Sequence, residues 1–246
     1  MAFPTLIAII TMFFIGGSTG TFASVASTVL LTGVIVLGVL MTFAVSALLS
    51  KTILKGVPSS FTLELPPYRA PQIGKVIVRS IFDRTLFVLG RAVVVAAPAG
   101  MVIWILANVT VDGASLLSLC SGFLDPFASL FGLDGVILMA FILGFPANEI
   151  VVPIIIMAYL STGAILELDD LAQLKSLLLD NGWTWLTAVN TMLFSLMHWP
   201  CSTTCLTIKK ETQSLKWTLV SFAVPTVIGL LVCLLVATAA RLLGLV

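Results

Sequence analysis

GFPANE at Gly144–Glu149 and HWPCSTTC at His198–Cys205 decide how this chain is read. Each cluster interrupts a long apolar run and sets a proline beside groups able to ligate a metal or to hydrogen-bond. Backbone left bare in hydrocarbon costs several kcal/mol, so a break at such depth has to line a cavity or a path. Interrupted membrane helices of this kind point to the binding site of a transporter.

The runs around the two breaks set the class. Hydrophobic residues make up 59% of the 246 positions and charged residues only 9%, with a mean hydropathy of +1.18. A soluble domain carries about 25% charged residues. The expectation is an all-α polytopic membrane protein, with five to six membrane helices plus a re-entrant or broken-helix element. A net charge of +1 excludes a nucleic-acid partner, which needs a strongly basic face. Cys120, Cys201, Cys205 and Cys233 have no zinc-finger spacing and suggest no disulfide framework.

Val25–Leu49, Phe87–Ala107, Thr184–Thr207 and Thr218–Ala240 are each long enough to cross a bilayer. The opening run Met1–Ile15 has no basic residue before it and lacks the charged start of a secretory signal. As a helix it reaches about 22 Å, short of a hydrocarbon core of about 30 Å. It reads as a half-span, or as part of an element that begins upstream.

Lys and Arg set the orientation. Ser50–Arg91 holds Lys51, Lys55, Arg69, Lys75, Arg79, Arg84 and Arg91 and reads as cytoplasmic. Thr110–Asp134 has Asp112, Asp125 and Asp134 but no cation, and Ser161–Gly182 has Lys175 against four acids, so both read as outer. Ile208–Trp217, with three lysines, reads as inner. Both ends of Gly135–Leu160 then lie outside, which predicts a re-entrant hairpin turning at Gly144–Asn148. One ordinary Pro-kinked helix is the alternative. In the cytoplasmic stretch, LELPPYRAP at Leu63–Pro71 is a rigid connector. Lys75, Arg79 and Asp83 then recur every four residues among apolar neighbours, as in an amphipathic helix on the inner membrane surface.

The chemistry is expected at the breaks. Glu149 opens a new apolar run after Gly144, Pro146 and Asn148, where backbone N–H groups are free. It either caps its own helix, for about 0.3 to 1 kcal/mol, or acts as a functional carboxylate. The second reading is favoured, because a carboxylate costs roughly 2.5 kcal/mol or more inside a membrane. His198, Cys201 and Cys205 would share one helix face, but Pro200 prevents a regular turn there. Imidazole, thiolate and carboxylate suit a first-row divalent cation. Against this, His198 could bond internally and the cysteines could pack as small apolar groups. Thr203 and Thr204 could bond back to helix carbonyls, and Met157, Met192 and Met197 read as packing.

LELPPYRAPQIGKVIVRSIFDRTLFVLGRA, GFPANEIVVPIIIM and HWPCSTTCLTIKKETQSLKWT resemble the carboxyl-terminal membrane region of the ferrous iron transport protein B family, in order, from Phe3 to about Pro225. The resemblance implies Fe2+ uptake across a bacterial cytoplasmic membrane, with Fe2+ as transported substrate and no permanently bound cofactor. It implies a partial first gate over residues 1–49, a basic connector over 50–86 and a second gate domain over 87–246. Glu149 and Cys201 are then expected to contact iron, with Asn148, His198 and Thr204 along the path and Gly144, Pro146 and Pro200 shaping the gate backbone.

Full-length members of that family begin with a GTP-binding domain, whereas no GxxxxGK[ST] loop occurs in this sequence. The expectation is a fragment, or a subunit that takes its GTPase and first gate from a separate chain; the copy number stays open, a homo-oligomer included. Two other readings remain: a gate protein moving nucleosides or another small solute through Asn148, Glu149 and Thr204, and a membrane partner that only docks a GTPase. No nucleophile, base and orienter set occurs in an extramembrane segment, so enzymatic activity is not expected in this chain.

Overall fold

The computed structural model describes residues 21–52, 72–111, 113–165 and 171–244. Met1–Ile15 and the connector Leu63–Pro71 lie outside the described residues. Two compact units are distinguished, Ile35–Val94 and the remainder.

Helix α1, Thr21–Lys51, carries no charge until its last residue. Thr32 and Thr42 return their hydroxyls to the carbonyls of Thr28 and Gly38, which lets polar side chains sit in an apolar helix. Its Thr28–Lys51 portion is one of two helices among the described residues long and apolar enough to cross a membrane. In the Ile35–Val94 unit, α2, Ile73–Arg79, continues as a π-helical turn, Ser80–Leu86, into the start of α3, Phe87–Asn108, most of which belongs to the other unit. The helix expected around Lys75 and Arg79 therefore forms. Ile73, Val76, Ile77, Ile81 and Phe82 are exposed within this chain.

In the other unit, β1 (Thr110–Val111) and β2 (Ala114–Ser115) pair antiparallel, Thr110 opposite Ser115. The turn uses Gly113 at φ +83°, a left-handed conformation that glycine tolerates. Ser115 then caps α4, Leu116–Ala128, by accepting from Ser118 N. The stretch read above as an outer connection thus contains a 13-residue helix. It bends by 106° into α5, Gly135–Leu143. The two helices meet so closely at Gly135 that a Cβ there would lie 1.9 Å from the Ser121 carbonyl oxygen.

After α5 the chain turns at Gly144–Ala147, makes a 3₁₀ turn over Asn148–Ile150 and returns as α6, Val151–Leu160. The Tyr159 hydroxyl, near the end of α6, donates to the Asp134 carboxylate that caps α5. The arms are therefore antiparallel, with the Asp134 and Tyr159 ends together, so a hairpin forms where the charge pattern predicts one. Ile137, Phe141, Ile154, Ile155 and Met157 from its arms form much of the buried core.

Helix α7, Leu171–Asp180, leads to α8, Trp185–Met197, whose N-terminus is closed by a Thr184/Thr187 capping box. The continuous span read over Thr184–Thr207 is two helices. α8 stops at Met197, the chain is extended at His198 and Cys201, and α9 runs Ser202–Thr212. Pro200 accounts for the break, since it has no N–H and disfavours helix in the residue before it. Helix α10, Leu215–Leu242, is the second membrane-length helix and packs against α8 and α9. Gly229 lets it approach, because a Cβ there would lie 3.1 Å from Met197 O at the end of α8.

Candidate functional site

Each break is an end of two short helices, so each leaves backbone groups that no helix satisfies. The structure joins them. Ser202 N, at the first residue of α9, donates to Phe145 O in the hairpin turn at 2.9 Å. Gly144 makes that turn possible, since a Cβ on it would come within 2.5 Å of Val151 Cγ2 and 3.0 Å of Ala140 O.

Aromatic rings wrap the junction. Phe141 of α5 packs edge-on to Phe194 of α8, centroids 4.8 Å apart, and lies 5.2 Å from the His198 ring. Trp199 stacks on Phe222 of α10 at 5.5 Å, and Phe222 meets Phe145 edge-on at 5.9 Å. The aromatic groups thus tie the hairpin, the broken helix and α10 around one point and shield its polar atoms from water.

Those polar atoms are under-satisfied. His198 places Nδ1 2.9 Å from Ser195 O, while its buried Nε2 has no hydrogen-bond partner. Asn148 Oδ1 and Ser202 Oγ are likewise buried without a partner. Cys201, immediately before α9, lies with Sγ 3.1 Å from both Thr203 Oγ1 and Thr204 Oγ1. Cys205 Sγ faces Pro200 O at 3.5 Å. The helix break means that His198, Cys201 and Cys205 do not share one continuous helix face. Glu149 is exposed in the 3₁₀ turn.

Among the described residues no three of His, Cys, Asp and Glu are grouped closely enough to hold a metal ion. Asn148, His198, Cys201 and Thr204, with Gly144, Pro146 and Pro200, all belong to segments that meet at or adjoin the Phe145–Ser202 bond. Sequence reasoning missed Ser202. Its place inside STT before an apolar run marks only a helix start, and its burial comes from the contact with the hairpin.

The other end of the hairpin is fully engaged. Asp134 accepts from Ile137 N at 2.6 Å and from Tyr159, whose hydroxyl accepts from Trp183 Nε1 at 2.7 Å. Asp125 Oδ1 accepts from Gly135 N at 2.9 Å. Burial holds the Asp134 carboxyl above the ordinary carboxylate range, while the Tyr159 hydroxyl pulls it down.

The family described as "Nucleoside recognition", named Gate, matches residues 89–215, a segment that contains both breaks. "Ferrous iron transport protein B C terminus" matches residues 31–83. The Fe(2+) transporter FeoB of Staphylococcus aureus (strain COL) is 34% identical over 203 residues, covering 78% of this chain and 28% of that protein. FeoB of Leptospira biflexa is 25% identical over 225 residues, covering 85% of this chain and 32% of its own length. FeoB of Leptospira interrogans serovar Lai is 27% identical over 221 residues, 80% of this chain and 31% of the relative. This chain therefore corresponds to roughly a third or less of each of these relatives. No solved structure matches it. Carrying both breaks inside the matched segment, the chain belongs to the gate family and corresponds to the carboxyl-terminal membrane region of ferrous iron transport protein B.

Proposed function

We propose that this chain is the second gate of a ferrous iron transporter in the bacterial cytoplasmic membrane. The observation that carries the reading is the junction itself. Two polar helix breaks, far apart in sequence, are joined by the Ser202–Phe145 hydrogen bond inside an apolar, aromatic surround. Fe2+ enters from the outer side, exchanges part of its hydration shell for Glu149 and Cys201, and passes Asn148, His198 and Thr204 as the hairpin and the α8/α9 break rearrange. Thiolate, imidazole and carboxylate bind first-row divalent cations. Fe2+ lies low in the affinity order, so discrimination against Zn2+ rests on geometry and supply.

In this reading five to six helices span the bilayer, the α5/α6 hairpin re-enters it, and the exposed apolar residues of α1 and α10 face lipid. A second reading, transport of a nucleoside or similar small solute, is favoured by the "Nucleoside recognition" description of the matched family. There Asn148, Glu149 and Thr204 bind hydroxyls or ring nitrogens, and Cys201 is dispensable.

The test is 55Fe2+ uptake under reducing conditions in cells lacking their own ferrous transporters, with this chain alone and with a separately expressed amino-terminal half. Uptake that needs the pair and is lost with Cys201→Ser supports the iron reading. Nucleoside flux that is unaffected by Cys201→Ser supports the second.

A further inference from the structure

Three of the four buried polar side-chain atoms left without a partner among the described residues belong to the two breaks: Asn148 Oδ1, His198 Nε2 and Ser202 Oγ. Ser202 is itself one end of the bond joining the breaks, His198 precedes it by four residues, and Asn148 follows Phe145 by three. An unsatisfied buried polar group costs about 1 to 3 kcal/mol. Three such atoms on the two breaks that one backbone bond joins call for something that supplies their missing interactions.

Their chemistry narrows what that is. Ser195 O can only accept, so the His198 Nδ1 2.9 Å away carries the proton and the neutral ring turns a lone pair outward at Nε2. A ring N–H held by a backbone carbonyl is the arrangement that fixes an imidazole as a metal ligand. Asn148 Oδ1 offers lone pairs only, and Ser202 Oγ, on a residue 7% exposed, offers two lone pairs and one proton. An anion would meet two lone-pair atoms and be repelled. A cation, partly hydrated, satisfies all three.

We propose that the junction contains a neutral-donor site for a divalent cation, with His198 Nε2 as the nitrogen ligand and Asn148 Oδ1 and Ser202 Oγ as oxygen ligands. This rests on the cation-transport reading and adds to it a site distinct from the Cys201 thiolate and the Glu149 carboxylate. Donors without charge hold the ion weakly, as release requires, and favour a borderline cation over a soft one.

The test is Co2+ titration of the full chain in nanodiscs at neutral pH, read by visible absorption, with folding of each variant checked by circular dichroism. Wild type and Cys120→Ser, a change in α4, are expected to bind alike. His198→Ala is expected to weaken binding by about ten-fold or more, and Ser202→Ala, a milder change, by about three-fold. The proposal is overturned if His198→Ala and Ser202→Ala bind as wild type does. Because this readout needs no uptake, it separates the site from the transport reading. Normal Co2+ binding without iron uptake would sink only the latter, and iron uptake with Co2+ binding unaffected by His198→Ala and Ser202→Ala would sink only the former.

Discussion

The two ends of the α5/α6 hairpin are built in opposite ways. At the end away from the turn, Asp134, Tyr159 and Trp183 are linked by hydrogen bonds, Asp125 accepts from Gly135 N, and backbone from α4 and α5 is in close contact at Gly135. At the turn end, Asn148, His198 and Ser202 keep buried polar atoms without partners, and one backbone bond joins the hairpin to the broken helix. The first end resembles an anchor, the second a place kept open for a passing ligand. Satisfied networks rigidify and unsatisfied ones cost stability, and the proposed gate rests on that difference.

Glycine substitutions break this comparison most sharply. Gly135→Ala sets a Cβ against the Ser121 backbone oxygen, which cannot rotate away, and should destabilise the protein by about 3 kcal/mol or more. Gly144→Ala meets first a Val151 methyl, which can shift, and should cost about 1 to 2 kcal/mol. Thermal unfolding in detergent, followed by tryptophan fluorescence, compares them; a larger cost at Gly144 would reverse the assignment of the rigid end.

Removing one partner from the anchor comes next. Tyr159→Phe leaves Asp134 and Trp183 Nε1 each short of a bond and should lower stability by about 1 to 3 kcal/mol, with little effect on Co2+ affinity. Ser202→Ala gives the smallest stability change. It deletes an orphaned atom while keeping the Ser202 N to Phe145 O bond, so stability should stay within about 0.5 kcal/mol or rise, even as cation binding weakens. A stability loss at Ser202 as large as that at Tyr159 would mean that its hydroxyl has a structural partner.

The sequence marked the turn end more clearly than the anchor. Gly144, Pro146 and Pro200 are strong local punctuation, and the structure breaks at each cluster. The acid-rich flanks of the hairpin, with Lys175 their one cation, indicated that its ends lie together, as the Asp134–Tyr159 pair does. Helix α4 escaped notice because Asp125 and Pro126 in LLSLCSGFLDPFA look like loop residues, although Pro126 is accommodated within it. The anchor was illegible because Asp134, Tyr159 and Trp183 are far apart along the chain and only the antiparallel return of α6 brings them together. Ser202 was hidden for the same reason, since nothing local distinguishes a buried serine from a helix-starting one.

The central claim is that the two breaks act as one gate, and a double-mutant cycle on 55Fe2+ uptake tests it most directly. Glu149→Gln, Cys201→Ser and the double variant would be compared in the complete transport system at matched membrane levels. One gate predicts strong non-additivity, with the double variant no worse than the more damaging single one. Losses in rate that multiply independently, or single variants that transport iron as wild type does, would contradict it.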